Sequence, residues 1–252
     1  MSTDFIAESV NKSDINRFFE KMEGTGNELH TIQIYADNKK ILRIAQKPYS
    51  CTDSREVYSL SKTFASTVIG IAADMGLLSV EDKVVDFFSE IKSIPTGFEK
   101  LNIKHLLSMN TGHSQCVMSA MALAEKAYEG FFSVKPEYTP GTHFTYNSGA
   151  SCMLGIILER VSKMSFFDFA CKYLFFPLGI YNISWNKCRD GSCRCGAGLH
   201  ICSDDIVKLG LLYYNCGIYN GKRIISYEWI REATSFVSDN ADNGTADWTS
   251  GY

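Results

Sequence analysis

Ser59-Leu60-Ser61-Lys62 puts a hydroxyl and an amine three positions apart, so a helix would stack them on one face. A serine hydroxyl is a poor nucleophile until a neighbouring base takes its proton. Lysine can be that base only when burial or nearby charge brings its pKa from about 10.4 towards about 7–8. A shift of roughly three units amounts to about 4 kcal/mol, so the chemistry demands a well-desolvated pair. The positive end of a helix starting here would also stabilise negative charge near Ser59. The spacing alone is not selective, because Ser9/Lys12, Ser89/Lys92 and Ser184/Lys187 share it. Context separates Ser59: it follows a polar, turn-like segment and opens the most apolar helical stretch of the chain. Taken locally, an N-cap serine with a solvated surface lysine accounts for the pattern equally well.

Tyr146 is the next candidate. It follows Pro140-Gly141-Thr142-His143-Phe144-Thr145 and leads through Asn147-Ser148-Gly149 into an apolar helix. A phenol beside a lysine can shuttle a proton, since the ammonium stabilises the phenolate. By itself Tyr146 reads as one half-buried tyrosine among thirteen. Tyr213-Tyr214-Asn215 repeats a Tyr-x-Asn pattern in an apolar stripe at a helix end and reads as core. Cys188, Cys193 and Cys195 lie near Arg189 and Arg194, with Cys202 beyond. Zinc sites favour two close pairs, or one pair with histidines, and His200 is the one histidine nearby, so these are read as loop and core thiols and no metal is assigned. His113 could approach the active site from its Thr111-Gly112 turn, although a lone histidine more often has a structural or surface role.

The elements that must position these residues follow from periodicity. Ile15, Phe18, Phe19 and Met22 have helical spacing over 11–23, with Ser13 as N-cap. The stretch 29–46 predicts a hairpin turning at Asp37-Asn38, with Ile32, Ile34, Ile41 and Ile44 as core. An apolar helix is expected over 63–76, a short one from the Ser79–Asp82 capping pattern through Phe88, and others over 102–109, 118–131, 148–163, 165–174, 203–214 and 226–235. Asn220-Gly221 marks a second hairpin over 218–225. Residues 239–250 are polar and turn-rich. Two strands followed by many helices make an unbalanced set, because a lone two-stranded sheet is weak.

The 252 residues, 45% hydrophobic and 21% charged, suffice for a substantial core. A net charge of −3 with no basic run gives no electrostatic case for nucleic acid or an anionic membrane. The N-terminus lacks the basic start and apolar core of a secretory signal, and 63–76 is too short to span a bilayer and contains Asp74. A cytoplasmic location is therefore expected, with the nine cysteines, an odd number, reduced. Nothing in the sequence sets the oligomeric state.

Tyr58-Ser59-Leu60-Ser61-Lys62-Thr63-Phe64 resembles the first motif of class C β-lactamases, penicillin-binding proteins and their esterase and peptidase relatives. Further segments resemble that family in the same order: 105–113, 140–149, Gly198-Leu199 with 203–210, the Asn220-Gly221-Lys222 turn and Glu228-Trp229. The likeness runs from about residue 10 to the end, and ordered agreement over that span is far more specific than any one motif. It implies an α+β fold of the β-lactamase/transpeptidase type, with a helical region and an antiparallel sheet flanked by helices. The expected organisation is one domain over 1–252, with a helix and hairpin in about 10–50 and a mainly helical active-site part in about 59–235.

By this resemblance Ser59 attacks a carbonyl and forms an acyl-enzyme, while Lys62 and Tyr146 relay protons; which of the two is the base stays open. The Ser59 backbone N–H is expected to be half of an oxyanion hole. The implied substrate is a small ester, amide or β-lactam, and no cofactor is required. Two departures stand out. The usual Tyr-x-Asn is here Tyr146-Asn147-Ser148, which leaves a short hydroxyl, Ser148, at the position that would contact substrate. The family's third motif, Lys-Thr-Gly or His-x-Gly on a strand, would fall after residue 252; Lys208-Leu209-Gly210 matches loosely but inside a predicted helix. The chain is thus expected to be C-terminally incomplete, without the last three strands and closing helix, and nearly inactive in this form. The alternative is a non-catalytic truncated pseudoenzyme or binding module of the same fold.

Overall fold

The computed structural model describes residues 2–8, 10–91, 94–239 and 249–250. Ser9 and Lys92, each half of a competing Ser-x-x-Lys pair, lie outside the described residues, as does most of the turn-rich tail.

The N-terminal layer contains β1 (Ser2–Ile6), α1 (Lys12–Glu23), β2 (Thr31–Ala36) and β3 (Lys39–Ala45). The predicted hairpin is present, with Asp37 and Asn38 both at positive φ. It is not alone: β1 pairs antiparallel with β3, giving the order β1-β3-β2 and correcting the expectation that this part of the sheet is a hairpin only. Asn11 rather than Ser13 caps α1, its Oδ1 accepting from the Ser13 N–H at 2.9 Å. The strand period puts Leu42 and Ile44 on one face, where they pack with Phe19 of α1 and, at the edge, Ile32. Ile41 falls on the opposite face and Ile34 is 45% exposed, so neither belongs to this core.

The opposite face meets the helical body through charge. Arg43 donates from Nε and Nη2 to the two oxygens of Asp204 at 2.8 Å each, and Gln33, its cross-strand partner, donates to Asp204 Oδ1 at 2.9 Å. The sheet therefore lies between α1 and the helix that begins at Ser203.

That body contains α2 (Ser61–Asp74), α3 (Ile103–Leu107), α4 (Met118–Leu123), α5 (Ala127–Ser133), α6 (Ser148–Ser162), α7 (Phe166–Ala170), α8 (Ser203–Tyr214) and α9 (Tyr227–Ala233). Short strands accompany them: β4 (Arg55–Glu56), β5 (Ser184–Trp185) and β6 (Leu199–Ile201) in the order β4-β6-β5, then the pairs β7 (Ile218–Tyr219) with β8 (Lys222–Arg223) and β9 (Ser238–Asp239) with β10 (Thr249–Ser250). The Asn220-Gly221 turn joins β7 to β8 as predicted. The helix expected over 118–131 is two helices, because Ala124 and Lys126 are extended; the chain doubles back so closely that Gly130 of α5, against the Ala120 carbonyl, has no room for a side chain. The predicted 165–174 helix opens into a π turn at Cys171–Phe175.

In α2, Phe64 to Ala72 are buried without interruption, and in α6, Gly149 to Leu158 are. A helix apolar on every side belongs in the middle of a body rather than at its surface. These two form its centre, and the candidate residues sit at their N-terminal ends. Among the described residues no helix is long and apolar enough to cross a membrane.

Candidate active site

β4 pairs with β6, and the Val57 N–H extends the ladder to the Leu199 carbonyl at 2.9 Å. Tyr58 then enters the left-handed region at φ 44° and opens a 3-10 turn over Tyr58–Leu60 that feeds α2. Ser61, fully buried, fastens this turn: its hydroxyl donates to the Tyr58 carbonyl at 2.5 Å and accepts from the Leu199 N–H at 3.2 Å. Ser59 is thereby held, exposed, at the head of the central helix. The remaining competing pair differs in kind, because Ser184 lies in a strand and Lys187 beyond it, with no helical turn between them.

The structure brings Ser59, Lys62 and Tyr146 together. Lys62 Nζ donates to Ser59 Oγ at 3.0 Å, and Tyr146 OH donates to the same oxygen at 2.7 Å. Lys62 Nζ is 4.9 Å from the centroid of the Tyr146 ring. Its second partner, which the sequence did not indicate, is the Gly196 carbonyl at 2.5 Å. Glycine is required there: a Cβ at 196 would stand 2.8 Å from the Ser148 carbonyl oxygen and 3.0 Å from Ser148 Cβ. Ser148, the first residue of α6, is thus placed beside the carbonyl that holds Lys62, although among the described residues its hydroxyl makes no hydrogen bond to Ser59, Lys62 or Tyr146. Trp185 steadies the Gly196 loop, its indole N–H shared between the Arg194 and Ala197 carbonyls at 3.1 and 3.0 Å.

The desolvation expected of the pair is only partly present: Lys62 is half-buried, and Tyr146 is 42% exposed. Both partners reach one hydroxyl oxygen, so either is placed to take its proton and return it. Ser59 stands ahead of a 14-residue helix whose positive end favours charge developing there.

Asn147 has a different task. Its Oδ1 accepts from the N–H groups of Gly149 at 3.0 Å and Val117 at 3.2 Å, capping α6, while Nδ2 donates to Thr111 Oγ1 at 3.4 Å. His113 completes this buried group. Its Nε2 donates to the Val134 carbonyl at 2.9 Å, which leaves Nδ1 to accept from Thr111 Oγ1 at 2.9 Å. Burial holds the His113 pKa below the ordinary histidine value. Of its two readings the structural one holds: His113 is a buried residue behind the site. Tyr213, read as core, lies against α2 with its hydroxyl 2.9 Å from Thr67 Oγ1. Among the described residues no group of three or more His, Cys, Asp and Glu side chains is arranged to hold a metal ion.

A family model described as Beta-lactamase matches residues 31–251. The chain is 25% identical over 151 residues to penicillin-binding protein 4* of Bacillus subtilis (strain 168), covering 54% of this chain and 31% of that protein. The matched stretch spans about a third of the length of each curated relative. Among solved structures, the octameric penicillin-binding protein homologue from Pyrococcus abyssi superposes with a TM-score of 0.74 at 20% identity, covering 96% of this chain and 64% of that one. A family VIII carboxylesterase superposes with a TM-score of 0.71 at 17% identity, covering 94% and 78%. At these identities the structural likeness carries the fold.

Proposed function

The chain belongs to the beta-lactamase family, and from that premise we propose that the protein is a serine hydrolase with Ser59 as nucleophile. The observation that carries this reading is the convergence of Lys62 Nζ and Tyr146 OH on Ser59 Oγ at 3.0 and 2.7 Å. Ser59 Oγ attacks an acyl carbonyl and its proton passes to the Lys62–Tyr146 pair, which delivers it to the leaving group. Water then attacks the acyl-enzyme, gives up a proton to the same pair, and releases the acid and a free Ser59.

The substrate class we assign is an ester ahead of an amide or a β-lactam. The Asn147 carboxamide, next to Tyr146 in the chain, is engaged in capping α6 and bonding Thr111, and position 148 offers only a hydroxyl. Ser148 is then a substrate contact of short reach, suited to a less polar acyl group than an amide side chain would hold.

The test is mass spectrometry of the full-length protein after exposure to a fluorophosphonate and to an activated ester. One adduct on the peptide containing Ser59 is expected, absent in Ser59→Ala. A protein that gains no adduct, or an adduct that survives Ser59→Ala, rules this mechanism out.

A further inference from the structure

Away from Ser59, folding brings Cys152 of α6 to three cysteines of the 187–196 loop, Cys188, Cys193 and Cys195. They are not equivalent. Cys152 and Cys195 are fully buried and Cys193 nearly so, whereas Cys188 is half-buried. Cys188 also lines a cavity of about 210 Å³ between Met118 and Met121 on one side and the cations of Lys187, Arg189 and Arg194 on the other. A small solute can therefore meet Cys188 before any other thiol of the group.

The turn presenting Cys188 is firmly built. The Cys188 N–H donates to the Ser192 carbonyl at 2.8 Å and the Gly191 N–H donates back to the Cys188 carbonyl at 3.1 Å. Asp190 ties the turn to α5, accepting from the Ala127 N–H at 2.7 Å. Behind the turn, the Cys152 thiol neighbours Cys188 and donates to Met118 Sδ at 3.7 Å, and Met118 lines the same cavity as Cys188.

We propose that Cys188 and Cys152 form a peroxide-reactive dithiol, in which a hydroperoxide oxidises Cys188 and Cys152 closes a disulfide onto it. The Cys188 thiolate attacks the terminal oxygen of the hydroperoxide; the O–O bond breaks and the departing alkoxide takes a proton to leave as an alcohol, or as water from hydrogen peroxide. Cys188 is then a sulfenic acid. The Cys152 sulfur attacks it, the S–S bond forms, the S–O bond breaks, and hydroxide leaves with the Cys152 proton as water. Two electrons pass from the sulfur pair to the peroxide.

The electrostatics divide the two roles. Beside Cys152, the Cys188 thiol is held below the usual cysteine range; Ser192 and Arg194 add to this, while burial and Asp190 oppose it. The neighbouring Cys188 sulfur, together with burial, pushes the Cys152 thiol well up. One sulfur is an accessible thiolate and the other a sheltered thiol, the division that attack followed by resolution needs. Cys195 is also pushed up by burial, and it stays out of the reaction.

The full-length protein supplies its own controls, because Cys116 and Cys216 are exposed and Cys195 is sealed. Reduced protein is treated with hydrogen peroxide, digested, and mapped by mass spectrometry. The expected product is a peptide pair joined through Cys152 and Cys188 and released by dithiothreitol. In Cys152→Ser the cross-link is lost and dimedone traps a sulfenic acid on Cys188 faster than on Cys116 or Cys216. In Cys188→Ser no cross-link forms and Cys152 stays a thiol. Alkylation of Cys188 is expected to set in at lower pH than that of an ordinary exposed thiol, whose pKa is about 8.5. A Cys195 that resists alkylation in each variant certifies its fold. The proposal is overturned if Cys116 or Cys216 oxidises before Cys188, if no Cys152–Cys188 cross-link forms, or if Cys188 titrates like the exposed pair. None of these readouts involves Ser59, so this proposal and the hydrolase reading fail separately.

Discussion

Tyr146 and Asn147 are neighbours in the chain, yet each joins a different kind of polar cluster. Tyr146 turns outward to Ser59 and Lys62, where the shared oxygen is exposed. Asn147 turns inward to Thr111, His113 and the start of α6, where the side chains are 0% exposed. Similar groups make similar hydrogen bonds in both places. The buried cluster spends its donors and acceptors on holding helices together, so a missing member leaves partners stranded in a dry interior. The exposed one keeps a hydroxyl facing outward, and a missing member there costs little structure. Reactivity and stability are divided at a single peptide bond.

That division can be broken from either side. The largest effect is expected for Lys62→Met, which removes a proton carrier from an exposed group. Fluorophosphonate labelling of Ser59 should fall by about 10²–10⁴, with the urea midpoint almost unchanged. Equal loss of labelling and stability would erase the distinction. Asn147→Ala is expected to do the reverse. It removes a helix cap and strands the Val117 and Gly149 N–H groups, costing about 2–3 kcal/mol of folding stability. The folded fraction should still label at Ser59 far better than Lys62→Met does. Urea titrations of both variants beside their labelling rates check the pair.

The smallest effect concerns pH. Burial holds the His113 pKa below its unfolded value of about 6.5, so the unfolded chain binds more protons in the window beneath that pH. The resulting stability is present above about pH 6.5 and is lost as pH falls from there towards the lower folded pKa. His113→Gln is expected to flatten part of that loss between about pH 7 and 5. His105, also lowered by burial, keeps the remainder. An unchanged pH slope in urea midpoints would remove His113 from the buried group.

How much of this was legible in sequence depended on the range of the interactions involved. Both hairpins, α6 and α8 follow from local period and turn chemistry, and they stand where expected. The meeting of Ser59 with Tyr146, 87 residues apart, could be anticipated only from the order of several motifs along the chain. Local pattern missed whatever distant contacts decide. β1 is five residues with little alternation, and pairing with β3 makes it a strand. Leu42 rather than Ile41 is core because α1 covers that face. Gly196 carries no chemical signal of its own; its role comes from a backbone carbonyl and from the closeness of Ser148. Asn147 was given no role from sequence, because its type suits both a cap and a substrate contact.

Trp185 gives the loop behind Lys62 an optical readout. Its indole N–H is shared between the carbonyls of Arg194 and Ala197, which bracket Cys195 and Gly196, and its ring stands edge-on to Phe166 at 5.3 Å. Emission from a buried indole shifts to longer wavelength when water replaces such fixed partners. Of the chain's three tryptophans, Trp229 is on the distant α9 and Trp248 lies outside the described residues. With Trp229 and Trp248 replaced by phenylalanine, the colour of the remaining fluorescence reports whether the Gly196 carbonyl is still in place to receive the lysine.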